Sequence, residues 1–478
     1  MEKIETRAVP FYGRRSVTAP ATCAQRHMWD LIRREMPDAS FYDFCQEVFL
    51  PGKGTVDDVV AVCAELVTRH ESLRTKFFSG ADGSLVQAVA RSGSLEAEIY
   101  ATGPGEDAQF VYDAWRRRSR DRTFDLRGGP PLRALVVVTG HTPVLAAFCV
   151  SHLAADLMSM RTLAAEALSL LAARTARTCG PPPAVTRQPV EQAEFERSPQ
   201  GRALLARSHA HWRQQLASAP VTMFPGRPDP RGPGRPDRSS AAMDSTAAFL
   251  AVRALAGQWR VSTSAVLLTA VGLLLGARSG QPVCALRLLA ANRTHPALQH
   301  TVANLHQEVL TSFDLRAENV RAVARRAFAA GTVAYANGLF DPDGANELIR
   351  AEGLRRGEPL HLSCCFNDIR TDHDPRAMGE AASAEEMRAA LARTVVAPCD
   401  FEEAETFFLV VVDTDPGWLR FVLCAETAVL PPEEVRAFLR RLERLLVDCA
   451  EQPERPWPRL LQGPDPQAGR PLRTAARG

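Results

Sequence analysis

The clearest pattern of apolar and polar positions lies in the second hundred residues. An apolar stretch, Leu132–Val138, leads through the turn Thr139–Pro143 into a second apolar stretch, Val144–Val150. Two apolar runs joined by a short turn are typical of an antiparallel hairpin. Apolar residues then recur in a helical pattern from Leu157 to Ala173, which predicts a long helix. We expect this helix to cover one face of the sheet that contains the hairpin.

Comparable patterns predict elements along the rest of the chain. Thr55 precedes two acids in a first helical turn, which is typical of a helix N-terminus. The apolar run 264–280 ends at Gly280 and predicts a buried helix. We also predict helices at 20–36, 106–120, 202–217, 316–352 and 431–449, strands at 42–50, 282–289, 361–370, 407–415 and 418–426, irregular chain at 174–192 and an exposed connection at 219–240.

Helices and strands are thus mixed throughout, which predicts an α/β protein. The length of 478 residues exceeds one ordinary core, so we expect two lobes. We place the first lobe at residues 1–180 and the second at 181–478. The net charge of +2, with acids and bases interspersed, gives no reason to expect binding to nucleic acid or to a membrane surface.

Targeting signals are not evident in the sequence. The N-terminus has no apolar core of a signal peptide, and no run of 18 uncharged apolar residues predicts a membrane span. We therefore expect a cytoplasmic protein and a monomer. The 11 cysteines are odd in number and irregularly spaced, so we interpret them as small buried thiols rather than a disulfide framework.

Two polar residues stand where the hairpin turns into the long helix. His152 and Asp156 follow the buried strand directly, and such junctions place side chains in clefts on a rigid base. A neutral imidazole can accept a proton near pH 7, so His152 is a candidate general base; the alternative is a buried histidine bonded to backbone. Ser151 adjoins His152 on a strand end, which argues against a Ser-His-Asp triad. Two ligands four residues apart are too few for a metal site.

Two further stretches carry candidate polar groups. Arg293 lies in a polar loop after a predicted strand and is suited to pair with a carboxylate; the alternative is an exposed guanidinium. In the segment 302–308, VANLHQE, polar side chains interrupt a strand-like run. His306 and Gln307 either line a cleft or form the outward face of an edge strand.

In this order, these pieces resemble the condensation domains of nonribosomal peptide synthetases. The signature of that family is two histidines, three variable residues and Asp-Gly, and residues 151–157, SHLAADL, occupy it with the second histidine and the aspartate in place. Residues 24–29, AQRHMW, are similar to the first family motif, and residues 69–77, RHESLRTKF, match the second almost throughout. Arg293 falls where the family has an arginine, and residues 302–308 resemble the later motif Val-Gly-x-Phe-Val-Asn-Thr, with Gln307 in place of the asparagine.

The resemblance implies a fold of two lobes, each like chloramphenicol acetyltransferase, set in a V with a central tunnel. It implies that His152 is catalytic and that Asp156 pairs with Arg293 to hold the active-site loop. Support for the site would come from Ser151, Leu157 and Arg74. The residues that the resemblance suggests for the tunnel wall are Gln25, Asn304, His306 and Gln307.

The chemistry implied is acyl transfer from a carrier-protein thioester to an amine or a hydroxyl. The 4'-phosphopantetheine arms of acyl or peptidyl carrier proteins would deliver the substrates, with a small-molecule nucleophile as another acceptor, and no metal or bound cofactor would be needed. His152 would either accept the proton of the nucleophile or hydrogen-bond the tetrahedral intermediate. The length matches one such domain, so we expect a freestanding enzyme.

Two departures from the signature keep alternatives open. The first histidine is Ser151, whose counterpart is largely structural, and the glycine is Leu157, which adds a side chain where glycine permits close backbone approach. One alternative is a degenerate domain that binds a carrier protein or recruits a partner enzyme. The other is an acyltransferase that uses soluble acyl-CoA.

Overall fold

The structure is a computed structural model of the chain that describes residues 2–35, 39–103, 105–176, 182–226, 236–317, 319–370, 382–413 and 417–452. Its internal contacts divide the chain into two compact units. The first comprises Met1–Ala206 and Ala291–Gln307, and the second comprises Arg207–Ala290 and Glu308–Gly478. The first unit thus extends beyond residue 180 and takes in a short segment from the second half of the chain.

The first unit is built on a five-stranded sheet in the order β1-β6-β7-β8-β3, in which only β6 and β7 are parallel neighbours. A small second sheet has the order β2-β5-β4. The strands are β1 Glu2–Tyr12, β2 Val17–Pro20, β3 Phe44–Phe49, β4 Thr75–Ser79, β5 Leu85–Val89, β6 Ser92–Ala101, β7 Leu132–Thr139 and β8 Thr142–Val150. The helices are α1 Cys23–Glu35, α2 Val56–Arg69, α3 Ala108–Arg120, α4 Leu157–Ala176 and α5 Pro189–Arg197, and α6 Pro199–Ser218 leads into the second unit.

The predicted hairpin is confirmed as β7 and β8, which pair in antiparallel register with Val136 opposite Ala146. Alternate residues of β7, Leu135 and Val137, pack against α3, and Val136 between them is fully buried as well. Strands buried on both faces read as continuous apolar runs. The helix α4 begins at Leu157 as expected and contacts α2 and β3.

The second unit is built on a seven-stranded sheet in the order β11-β10-β12-β14-β15-β9-β13. Its strands are β9 Arg238–Ser245, β10 Val283–Ala290, β11 Gln307–Asp314, β12 Cys364–Asp368, β13 Val395–Pro398, β14 Phe407–Asp413 and β15 Leu419–Glu426. Its helices are α7 Thr246–Trp259, α8 Thr263–Ser279, α9 Val320–Ala336, α10 Pro342–Arg356, α11 Ala384–Leu391 and α12 Pro432–Glu451. The predicted buried helix is α8, which ends at Gly280 with a φ of 70°, a conformation that glycine adopts without strain.

Several parts of the prediction differ from the structure or lie outside it. The helix predicted at 316–352 is interrupted and forms α9 and α10. The strand β1 was not anticipated, because its residues alternate irregularly and it pairs only with β6 at the sheet edge. The irregular stretch 174–192 contains the start of α5, where Pro189 occupies the first helical turn. The predicted exposed connection 219–240 is wrong at its described ends, because Met223 and Phe224 are buried and Arg238 begins β9, while residues 227–235 lie outside the described residues.

Within the described ranges, no single helix is long and apolar enough to cross a membrane. Only α7 and α8 together reach that length and composition, and they are bent by 105° at their junction.

Candidate active site

The active-site candidate lies at the junction between β8 and α4 in the first unit. The strand ends at Val150, and the chain then makes a tight turn in which the backbone amides of Ala154 and Ala155 donate to the carbonyl of Ser151 at 2.8 and 3.2 Å. The amide of Ser151 donates to the carbonyl of Pro131 at 3.0 Å. These backbone bonds fix the turn on the end of the sheet.

His152 is buried in this turn with its imidazole held in one orientation. Its Nδ1 lies 2.9 Å from the carbonyl oxygen of Ala155. A carbonyl oxygen only accepts, so Nδ1 carries the hydrogen and Nε2 presents a lone pair. Burial lowers the pKa of His152, with the nearby Asp156 carboxylate acting in the opposite direction. The ring is therefore a neutral base near pH 7.

Aromatic rings surround the imidazole of His152. The ring of His306 stacks on it with centroids 4.6 Å apart and planes inclined by 17°. The ring of Phe44 meets it edge-on at 4.5 Å, and Tyr42 lies farther away at 6.5 Å. These contacts cover much of the imidazole surface and restrict its rotation.

Asp156 caps the helix α4. Its Oδ1 accepts from the backbone amide of Ser159 at 2.9 Å and lies 2.8 Å from the Ser159 hydroxyl. An acid at this position satisfies free amides of the first turn and interacts favourably with the helix dipole. The carboxylate is thereby oriented by the start of the helix.

Arg293 forms a buried two-pronged ion pair with Asp156. Its Nη1 and Nη2 lie 2.8 and 2.9 Å from the two carboxylate oxygens, and the two side chains are 7% and 5% exposed. The Nη2 atom also donates to the Ser159 hydroxyl and to the carbonyl of Thr301, and the amide of Leu305 donates to Asp156 at 3.1 Å. The pairing that the resemblance implied is confirmed. The pair fastens the segment 301–305 to the start of α4.

The segment after Arg293 carries three of the predicted polar residues. Asn304 is fully buried, and its Nδ2 donates to the carbonyl of Ala24 at 3.3 Å. Its Oδ1 lies 2.8 Å from Nδ1 of His306. Because the amide nitrogen faces a carbonyl, the amide oxygen must accept, and the hydrogen of His306 therefore lies on Nδ1. Gln307 is buried as the first residue of β11.

The helix α1 closes another side of this region. Thr22 and Gln25 exchange hydrogen bonds of 2.9 and 3.1 Å in a capping box, so Gln25 has a structural role at the helix start. His27 on the same helix is buried and close enough to His306 to act on it. Burial, together with the charges of His152 and His27, holds the pKa of His306 well below its usual value.

The motif at residues 69–77 bonds to both the active-site turn and the helix α4. The buried Ser72 hydroxyl donates to the carbonyl of Ala154. His70 and Arg69 lie 2.8 and 2.9 Å from the same carboxylate oxygen of Glu166 on α4. The motif thus holds both the turn and the helix that follows it.

Arg74, also in that motif, donates hydrogen bonds to the backbone carbonyls of two residues outside it, Arg15 and Ala90. Its Nη1 donates to the carbonyl of Ala90 at 2.5 Å. A Cβ atom at Gly13 would contact the Arg74 guanidinium, so a side chain here would require Arg74 to shift.

Asp43, at the start of β3, is a residue that sequence reasoning missed. Burial raises its pKa to about 8, and contacts with the charges of Arg133 and Arg120, the Ser151 hydroxyl and the backbone of His152 act in the opposite direction. Ser151, which stands in the position of a histidine, therefore faces a carboxyl group.

The other residues of the site differ in whether the sequence indicated their role. Ser159 stands three residues after Asp156, the spacing of a helix cap, and that signal was available. Phe44 and Asp43 carry no such signal, because only tertiary pairing of distant segments brings them to His152. His27 lies in the motif 24–29, and tertiary packing of α1 brings it near His306. Leu157 is the partly buried first residue of α4 and is not among the described residues with positive φ, so this position does not need the conformational freedom of glycine.

A potential metal-ligand set lies in the second unit rather than near His152. Among the described residues, Glu308, Cys365 and Glu405 bring three ligand atoms within 4.8 Å of one another. The guanidinium of Arg287 lies 3.3 Å from Glu308 and 4.0 Å from Glu405. The arginine supplies the positive charge that a cation would bring, so we interpret the cluster as a buried ion-pair network.

Comparisons with known proteins agree with this geometry. The family model described as Condensation domain matches residues 16–303. Chondramide synthase cmdD of Chondromyces crocatus is 26% identical over 303 residues, 62% of this chain and 8% of that protein. Isonitrile lipopeptide synthase of Mycobacterium tuberculosis is 30% identical over 311 residues, 61% of this chain and 12% of that protein. The chain thus spans only a small part of these curated relatives.

Solved structures share the fold. The SgcC5 protein of Streptomyces globisporus has a TM-score of 0.69 at 19% identity and covers 92% of this chain and 100% of its own. The starter condensation domain of rhizomide synthetase RzmA has a TM-score of 0.67 at 19% identity and covers 92% of this chain and 98% of its own. The predicted α/β fold of condensation domains is confirmed. With the matched family model covering more than half of its length, this chain belongs to the condensation domain family of nonribosomal peptide synthetases.

Proposed function

We propose that this protein catalyses acyl transfer from a thioester on the phosphopantetheine arm of a carrier protein to an amine or a hydroxyl, with His152 as the general base. The observation that carries the proposal is the fixed tautomer of His152. Its Nδ1 hydrogen is bound to the Ala155 carbonyl at 2.9 Å, so Nε2 is free to accept a proton. Burial keeps the ring neutral, which is the form that a base needs.

The reaction then proceeds through a tetrahedral intermediate. The nucleophile attacks the thioester carbonyl, its proton passes to Nε2 of His152, and a new C–N or C–O bond forms. The carbon–sulfur bond breaks as the intermediate collapses, and the imidazolium returns the proton to the leaving thiolate. Holding both reactants in place supplies much of the acceleration, so no further reagent is required.

The surroundings of His152 support this role by keeping the base in position. Asp156 and Arg293 satisfy each other and fix the start of α4, so neither is available to act as an acid or a base. Ser72 holds the carbonyl of Ala154 next to the residue that orients the imidazole. A site held by neighbouring side chains loses little free energy to reorganisation during the reaction.

The test is an assay with an acylated carrier protein as donor and a panel of amines and alcohols as acceptors. We expect His152→Ala to lower turnover by about 10²- to 10⁴-fold, the usual contribution of a general base. His141→Ala, in the exposed turn between β7 and β8, is the matched control and should retain full activity.

The remaining outcomes separate the alternatives. Carrier binding without turnover for any acceptor would overturn the proposal in favour of a domain that binds or recruits. Turnover with soluble acyl-CoA and no carrier protein would identify the donor as a coenzyme A thioester. Comparison of amine and alcohol acceptors decides whether the product is an amide or an ester.

A further inference from the structure

The structure places a second imidazole directly on the candidate base. His306 and His152 are stacked at 4.6 Å with an inclination of 17°. The family motif to which residues 302–308 were compared has valine at this position, so the imidazole is a departure of this chain. An apolar side chain would already fill the space, and the departure therefore calls for its own explanation.

Hydrogen bonds hold the ring of His306 in one orientation. Its Nδ1 hydrogen is bound to Asn304, which is in turn bound to the carbonyl of Ala24. The backbone on the N-terminal side is fixed as well, because the amide of Leu305 donates to Asp156. The ring is thus tied both to α1 and to the ion pair at the start of α4.

The stacked pair can hold only one proton. Two like charges 4.6 Å apart in a site of low polarity repel each other strongly, so protonation of one ring opposes protonation of the other. His306 is the ring held further from protonation, since burial and the charges of His152 and His27 all act against it. A proton that enters the pair therefore resides on His152, where Asp156 favours it.

Charged and titratable groups face the pair from several elements. They are His27 on α1, Asp43 ahead of β3 with Arg120 and Arg133 beside it, Asp156 at the start of α4, and Arg293. Asp156 and Arg293 form an ion pair with each other, and burial raises the pKa of Asp43 to about 8, so its carboxyl group is mainly protonated near pH 7. Among the described residues, the ring stacked on a face of His152 is that of His306.

We propose that His306 is a positioning residue that remains neutral, covers one face of His152 and thereby keeps His152 dry, correctly oriented and unprotonated until the nucleophile delivers its proton. The inference rests on the proposed function, because a poised base matters only if His152 acts as one. The role differs from simple packing, since it depends on the hydration and protonation of His152 and not on the stability of the fold.

Nuclear magnetic resonance of protein with isotope-labelled histidine tests the proposal without any substrate. In the wild type, His152 should titrate below its ordinary pKa of about 6.5 while His306 stays neutral. His306→Ala should admit water and raise the pKa of His152 by about one unit. His306→Phe should leave it low, because phenylalanine preserves the stacked ring. The buried His211, whose Nε2 lies 2.8 Å from the carbonyl of Leu310 in the second unit, is the internal control and should not change in either variant.

The possible results distinguish failure of the role proposed for His306 from failure of the proposed function. An unchanged His152 titration in His306→Ala, or the same rise in both variants, would overturn the shielding role. If the alanine variant does not fold, the wild-type titration alone decides, since uptake of the first proton by His306 would overturn the proposal. Where turnover is measurable, His306→Ala should lose more activity below about pH 6.5 than above it, whereas a merely structural defect would lower activity by a similar factor at every pH. If His152 and His306 titrate as expected but no turnover is found, the proposed function is rejected, and the conclusion that His152 takes up the first proton still holds.

Discussion

Asp43 shows how much of this site depends on single residues that are distant in the sequence. Its carboxyl group lies at the start of β3, beside the Ser151 hydroxyl and the backbone of His152, and burial raises its pKa to about 8. In the unfolded chain an aspartate has a pKa of about 3.9. The folded state therefore keeps a proton that the unfolded state releases, and between these two values stability falls as the pH rises.

Asp43→Asn is expected to remove this contribution, because an amide does not ionise. The free energy of unfolding of the wild type should decrease between about pH 6 and about pH 8 by more than that of the variant. Urea denaturation at the two pH values measures both differences. Equal decreases in the two proteins would show that Asp43 is ionised in the fold.

At the residue scale, the sequence was sufficient for His152, Asp156 and Arg293 because their types and spacings carry the family pattern. It was not sufficient for Asp43 or Phe44. Both come to His152 because β3 pairs with β8, with Phe44 opposite Val150. That register is decided by the sheet as a whole.

At the scale of elements, the N-terminus of α4 is the most heavily bonded point of the site. Asp156 accepts from Ser159, Leu305 and Arg293, whereas an ordinary cap such as Asp107 on α3 accepts one bond of 3.1 Å from Gln109 at the surface. The two aspartate caps thus differ, because Asp156 is buried and paired with a charged arginine whereas Asp107 is exposed and accepts from a backbone amide.

This contrast makes a matched prediction. Asp156→Ala should destabilise the protein by about 3–5 kcal/mol, because it leaves the Arg293 guanidinium buried without its counter-charge. Asp107→Ala should lower stability by only about 1 kcal/mol, the usual effect of losing a cap. Chemical denaturation of both variants gives the comparison. A fully folded and inactive Asp156→Ala protein would instead indicate a chemical role for this carboxylate.

Most elements of the site follow from local patterns, and the exceptions have physical causes. The capping threonine of α2 accepts from the amide of Asp58 as its sequence indicates. The hairpin β7–β8 and the helix α8 are apolar enough to predict directly. The edge strand β1 has only β6 as a neighbour, so its composition is not constrained to the apolar run that identifies a buried strand.

At the scale of the whole molecule, the exposure of the cysteine thiols shows how well the core of each unit is buried. Of the 11 cysteines, eight are buried, Cys45 and Cys399 are partly exposed, and Cys179 lies outside the described residues. The interpretation of small buried thiols is confirmed for those eight. Burial raises the pKa of several of them, to about 12 for Cys63, so little reactive thiolate is present.

We therefore expect at most three thiols of the native protein to react promptly with N-ethylmaleimide, namely the eleven less the eight that are buried. All eleven should react in concentrated guanidinium chloride. Mass spectrometry of the intact protein counts the adducts. Prompt modification of more than three thiols in the native state would mean that one of the cores opens readily.

The sequence by itself determined the family, the main helices and strands, and the His152 turn, since these depend on local periodicity and on a linear motif. Only the tertiary structure decided how the turn is held and what surrounds its imidazole. The segment Ala291–Gln307 leaves the second half of the chain and folds into the first unit, which brings Arg293 to Asp156 and His306 onto His152. The local sequence pattern does not indicate that this segment folds into the first unit. Once the segment has folded back, separating Arg293 from Asp156 would leave each buried charge without a partner, which is costly.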